Sequence, residues 1–100
     1  MNLPNGATNL LKLESAMSIM KAAAQPQRVT IINLLMENGA LTVQDMMKLM
    51  KQQNTELLDR HLEVLMKIRF LECQQQNNAL SYQIVPSKIG AIQLFMSTLD

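Results

Sequence analysis

The stretch Leu41 to Lys67, LTVQDMMKLMKQQNTELLDRHLEVLMK, holds two short helical patterns separated by a polar break. In the first, Val43, Met46, Met47 and Met50 recur at the i, i+3, i+4, i+7 spacing that gathers apolar side chains on one face of a helix. Thr42 followed three residues later by Asp45 is a helix-start signature, the acid standing in for the usual Glu. Gln44, Lys48 and Lys51 fall on the outer face. After Gln52, Gln53 and Asn54, the residues Leu57, Leu58, His61, Leu62 and Leu65 mark one side of a second helix ending near Lys67. The spacing predicts two short helices joined by a tight turn that contains no Gly.

Upstream, Leu10, Leu13, Met17, Met20 and Ala24 recur at helical steps, with Ala16, Ile19 and Ala23 widening the stripe. So wide a stripe exceeds what packing against one's own chain requires, which points to a second partner surface. Residues 1–8, with Pro4, Gly6 and two Asn, read as a loose arm. Pro26 ends this helix, expected over residues 9–24, and suits the first turn of the next, which runs to about Asn38 and stops at Gly39. Val29, Ile31, Ile32, Leu34, Leu35 and Met36 make it apolar nearly all round, so it is expected to be the central core helix. Downstream of Ile68 the period becomes two: Leu71 and Cys73, a turn at Gln75 to Asn78, then Leu80, Tyr82 and Ile84. Pro86 breaks the strand, Ser87 can cap, and Ile89, Ile92, Phe95, Met96 and Leu99 line a last helix over residues 87–99, where Gly90 permits close approach of another backbone. The fold class predicted is mainly α with a small β-hairpin, in the order α-α-α-α-β-β-α, with residues 9–100 as one domain.

Composition narrows the function. One hundred residues suit a single domain with one modest core. Nearly half the residues are apolar but only three are aromatic, so Leu, Ile, Val and nine Met fill the core, which favours an adaptable interior. Nine basic and eight acidic residues leave a net charge of +1, so any basic footprint must be local. The single Cys73 cannot form a disulfide within the chain and fits a reducing compartment. The first residues lack a signal-peptide pattern, and the longest apolar run, Ile31 to Met36 interrupted by Asn33, is too short for a bilayer. A cytoplasmic protein without a membrane partner is expected. Ser15, Ser18, Ser81, Ser87 and Ser97 have no His or acid at a catalytic spacing, so no enzyme and no cofactor are expected.

The chain resembles the ArsR/SmtB family of winged helix-turn-helix repressors between about Met17 and Leu99. The resemblance rests on Ala22 to Leu35, AAAQPQRVTIINLL, where a Pro and an Arg precede the core helix; on Leu41-Thr42-Val43 with Asp45; on Arg60-His61-Leu62 with Val64-Leu65; and on Ile68 to Leu71 with Tyr82. It implies a DNA-binding transcriptional regulator acting as a homodimer through its terminal helices, with Leu10, Leu13, Met17, Met20, Ile89, Ile92, Phe95, Met96 and Leu99 at the interface. On double-stranded DNA it implies Gln53, Asn54, Thr55 and Arg60 in the major groove, Lys48, Lys51 and Lys67 on phosphates, and Gln75, Gln76 and Asn77 in the wing. The family's metal sensors carry Cys pairs near the start of the positioning helix or His and acidic ligands in the last helix. Leu41 to Asp45 and Ser87 to Leu99 contain no Cys and no His. One Cys and one His on separate elements cannot complete a zinc-like ligand set, so no metal is expected.

Other residues depart from the family pattern on the DNA side. The outward positions of the second helix carry Glu56, Asp59 and Glu63 beside Arg60, and the wing, Gln74 to Asn78, has no charge. Arg60 can contact a guanine or simply pair with Glu56 or Glu63. Asn54 or Thr55 can read a base or simply cap the helix. His61 reads as structural and Cys73 as a small half-buried apolar residue. The alternative function is a winged-helix protein-interaction or scaffolding dimer that has lost DNA binding.

Overall fold

The computed structural model describes residues 5–99, with side chains from residue 12 onward except that of Gln76. The five helices and the hairpin follow the expected order, with a short extra strand between the second and third helices: α1 Asn5–Ala23, α2 Pro26–Asn38, β1 Leu41–Thr42, α3 Val43–Met50, α4 Thr55–Lys67, β2 Leu71–Gln76, β3 Ala79–Ile84, a 3-10 turn Pro86–Lys88, and α5 Ile89–Ser97. The fold is mainly helical with a small antiparallel sheet.

The core follows from the helical stripes. Ile31, Ile32 and Leu35 of α2 pack with Met46 of α3 and with Leu58, Leu62 and Leu65 of α4. Phe70, Leu71 and Ile84 close it from the sheet side, and Phe70 meets Phe95 of α5 edge to face with ring centroids 6.3 Å apart. With two Phe in the whole chain, this pair is the one aromatic joint between the start of the hairpin and the last helix.

Local chemistry sets the element ends. Pro26 occupies the first turn of α2, and Gly39 ends the helix at φ 78, its N–H donating to Leu35 C=O at 2.9 Å. Thr42 and Asp45 form a reciprocal capping box at the start of α3: the Asp45 N–H donates to Thr42 Oγ1 at 3.1 Å and the Thr42 N–H to Asp45 Oδ2 at 3.2 Å. Two bases stand in the left-handed region, where Gly is usual after a helix: Lys51 at φ 53 after α3 and Arg69 at φ 64 after α4. The hairpin turn narrows to Asn77-Asn78, both left-handed at φ 51 and 67, as a two-residue turn between right-twisted strands requires.

Several boundaries differ from expectation. Residues 1–4 of the expected arm lie outside the described residues, whereas 5–8 already belong to α1; the first turn of a helix makes few demands on its N–H groups and accommodates Asn5, Gly6 and Thr8. The two-residue β1 was not anticipated, because a strand this short has no period of its own. It pairs with β3, Leu41 opposite Tyr82, giving the sheet order β1-β3-β2. Ser87 makes no capping bond, since the chain enters α5 through the 3-10 turn; there the Lys88 N–H donates to Val85 C=O at 2.8 Å. Among the described residues nothing lies within 4 Å of where a Cβ at Gly90 would stand, so the close backbone approach expected there is not made within the chain.

Thr42→Ala removes the side-chain half of the capping box and should lower unfolding stability by about 1 kcal/mol in chemical denaturation, without changing the fold. An unchanged midpoint would mean that β1 pairing, and not the box, fixes the start of α3.

Candidate nucleic-acid interface

α3 and α4 are held at their junction by side chains of the turn itself. Gln52 Oε1 accepts from the N–H groups of Gln53 and Asn54, both at 3.0 Å. Asn54 caps α4, its Oδ1 accepting from the Leu57 N–H at 3.0 Å, and Thr55 Oγ1 donates to Met47 Sδ at 3.5 Å. Capping is therefore what Asn54 does in the isolated chain, and Thr55 ties α4 back to α3. Gln52 went unnoticed as a turn-former in the sequence because a Gln has no fixed turn signature.

The inner face of α4 contains one polar residue. His61 is 5 % exposed and both of its ring nitrogens are bonded. Arg28 Nε donates to Nδ1 at 3.1 Å. Arg has no acceptor, so Nδ1 must be unprotonated and the proton sits on Nε2, which donates to Gln27 Oε1 at 2.7 Å. Arg28 Nη1 also donates to Ala22 C=O at 2.8 Å. One guanidinium thus joins the last turn of α1, the first turns of α2 and the middle of α4. Burial, then the charges of Arg28 and Arg60, holds the His61 pKa below its ordinary value of 6.5. The expected structural role of His61 matches this placement. Gln27 and Arg28 were not among the candidate residues; the one sequence signal was their position beside Pro26 in the first turn of a core helix.

The outer face of α4 is polar and exposed. Glu56, Arg60, Glu63 and Lys67 follow one another at four- and three-residue steps directly opposite the buried stripe, alternating in sign, and Asp59 stands beside them. Lys48, Lys51 and Gln53 are exposed on the α3 side, and Gln75 and Asn77 at the hairpin tip, whereas the side chain of Gln76 lies outside the described residues. Between α4 and β3 runs a groove of about 660 Å³ lined by Val43, Asp59, Glu63, Met66, Leu80 and Tyr82 among others. Burial, then the neighbouring Cys73 and Asp59, raises the Tyr82 phenol above its ordinary pKa. Cys73 lies opposite Tyr82 in the ladder and is half-buried.

On the other side of the molecule α1 and α5 enclose an apolar groove of about 510 Å³ lined by Ala16, Ile19, Met20, Phe70, Leu94 and Phe95 among others. Of the residues expected at the interface, Leu13, Met17, Met20, Ile89 and Leu99 are exposed in the single chain and Met96 is half-buried. The side chain of Leu10 lies outside the described residues. Two assignments need correction: Ile92 (0 % exposed) and Phe95 (6 %) belong to the chain's own core, Phe95 with its ring against Phe70. Leu94, 70 % exposed, falls outside the stripe that the periodicity picks out.

Among the described residues no three His, Cys, Asp or Glu side chains converge as a metal site, and no helix is long and apolar enough to cross a membrane. A turn-joined helix pair with an antiparallel hairpin beside it defines a winged helix-turn-helix protein. No family model matches the chain. It is 33 % identical over 82 residues, 81 % of this chain and 90 % of the relative, to an uncharacterized HTH-type transcriptional regulator of Methanocaldococcus jannaschii. Among solved structures it is similar to the transcriptional repressor PagR of Bacillus anthracis (TM-score 0.72, 24 % identity, 91 % of this chain and 99 % of that one). It is also similar to the transcriptional regulator HlyU of Vibrio vulnificus (TM-score 0.67, 21 % identity, 94 % and 99 %) and to an ArsR family transcriptional regulator (TM-score 0.64, 19 % identity, 85 % and 86 %). The chain belongs to the helix-turn-helix transcriptional regulators, and its winged-helix fold is of the ArsR/SmtB type.

The His61 network makes a signed prediction. Well above pH 6.5 neither folded nor unfolded chain protonates this ring, and its contribution to stability is constant. As pH falls through 6.5 the unfolded chain takes up the proton first, so stability drops until the lower folded-state pKa is reached. Urea denaturation between pH 8 and 5 should show this loss in the wild type and a flatter profile in His61→Gln, which keeps one donor and one acceptor. Parallel profiles for the two proteins would show that His61 does not carry the acid limb.

Proposed function

We propose that the protein is a cytoplasmic, DNA-binding transcriptional regulator that acts as a homodimer and does not sense a metal. The observation that carries this reading is the presentation of α4: its inner face is buried and clamped through His61, its start is capped, and its polar outer face is left to solvent. In this reading α4 enters the major groove with Gln53, Asn54, Thr55 and Arg60 leading. Lys48, Lys51 and Lys67 contact phosphates, and the amides Gln75, Gln76 and Asn77 meet the minor groove or the backbone. The apolar α1–α5 groove, with Leu13, Met17, Met20, Leu94 and Leu99 exposed around it, supports burial against a second copy. The part of the reading that concerns metals rests on the sequence: Leu41 to Asp45 and Ser87 to Leu99, where the resemblance would put a sensor's ligands, hold no Cys and no His.

Few phosphates are neutralised by this surface, so binding should be weak and its salt slope shallow for a dimer. The alternation of Glu56, Arg60, Glu63 and Lys67 favours a second reading, in which α4 docks on a protein of matching charge. Fluorescence anisotropy on pooled genomic duplexes separates the two. Arg60→Ala should cost about 1–3 kcal/mol with relaxed base preference, and the Glu56→Gln/Asp59→Ser double variant should gain nonspecific affinity by losing repulsion from phosphates. If wild type and both variants fail to bind at low salt, the interaction reading replaces the DNA reading.

The dimer has its own test. Leu13→Glu and Leu94→Glu, each at an exposed position, should yield folded monomers by sedimentation velocity at micromolar concentration while the wild type runs as a dimer. A monomeric wild type would remove the dimer from the account.

A further inference from the structure

We infer that Glu56 is a specificity-determining residue that selects cytosine, beside a guanine taken by Arg60. The inference rests on the DNA-binding reading above and names what that face recognises.

The residues at the start of α4 are not equally available. Asn54 Oδ1 is committed to the Leu57 N–H at 3.0 Å, Thr55 Oγ1 to Met47 Sδ at 3.5 Å, and Gln52 Oε1 to two N–H groups of the turn. Glu56 is the first exposed side chain of α4 outside these bonds, and it stands four residues before Arg60 on the line opposite the buried stripe. A helix that enters a groove with this line foremost brings Glu56 and Arg60 to neighbouring base pairs, about 6 Å apart along its axis.

An ionised carboxylate only accepts hydrogen bonds. In the major groove guanine offers two acceptors, thymine an acceptor and a methyl group, and adenine a donor flanked by an acceptor. Cytosine alone presents an amine donor with no acceptor beside it. Glu56 therefore finds no donor on guanine, thymine or the phosphates, only a donor offset by the neighbouring N7 acceptor on adenine, and its full match on cytosine. Arg60 has the opposite requirement and matches the paired acceptors of guanine. The acid that weakens general affinity is in this way the source of discrimination, since a wrong base leaves a desolvated charge without a partner.

The test is selection from a randomised duplex library by wild type, Glu56→Gln and Arg60→Ala at one fixed salt concentration, followed by titration of single-base variants of the selected site. Wild type should enrich a cytosine adjacent to a guanine, and changing that cytosine should weaken binding roughly tenfold. Glu56→Gln should move the preference at that position from cytosine to adenine, whose donor–acceptor pair suits an amide. Arg60→Ala should relax the guanine and leave the cytosine. If wild type selects a site and Glu56→Gln selects the same base at every position, Glu56 does not read a base and the inference falls while DNA binding stands. If wild type enriches no sequence, the inference falls, and the anisotropy titration above decides separately whether the duplex is bound at all.

Discussion

Everything α4 shows to solvent depends on how its inner face is held. Leu58, Leu62 and Leu65 supply apolar burial, but burial alone leaves a helix free to slide or rotate by small amounts. His61 removes that freedom, because a buried imidazole tolerates only a geometry in which both nitrogens are satisfied. Gln27 and Arg28 satisfy them at 2.7 and 3.1 Å, and Arg28 reaches on to Ala22 at the end of α1. The helix that carries the polar outer face and the helix that carries the exposed apolar face therefore share one guanidinium.

The surface charges express a compromise. A dimer that held DNA by phosphate contacts alone would carry more Lys and Arg on the wing and fewer acids on α4. Here the hairpin tip is a two-residue Asn turn preceded by Gln74 to Gln76 and followed by Ala79, and three acids share the exposed side of α4 with Arg60 and Lys67. On the proposed DNA-binding reading, such a surface gives up general affinity. What it retains is a row of alternating groups, each compatible with few partners. This favours discrimination over strength.

Much of the architecture was legible in the sequence because its signals are local. The Pro26 and Gly39 boundaries, the Thr42–Asp45 box and the helical stripe of α4 each arise within a few residues, and each appears where the pattern puts it. What escaped was set by tertiary contact. β1 exists only because Leu41 and Thr42 find β3. The Arg28–His61 bond spans residues that are distant in sequence, and no period announces it. The same limit explains the interface: helical spacing put Ile92 and Phe95 on one apolar stripe of α5, but it could not tell which apolar residues face the chain's own core and which, like Leu94, face outward.

The central claim is that α4 and the hairpin tip form a surface for duplex DNA, separate from the α1–α5 face. Amide NMR spectra recorded while a pooled genomic duplex is added at low salt test this residue by residue. The account predicts the largest shifts in residues 52–60 and 74–78, with α1 and α5 unmoved. Shifts concentrated at residues 13–20 and 94–99, or none at all, would contradict it.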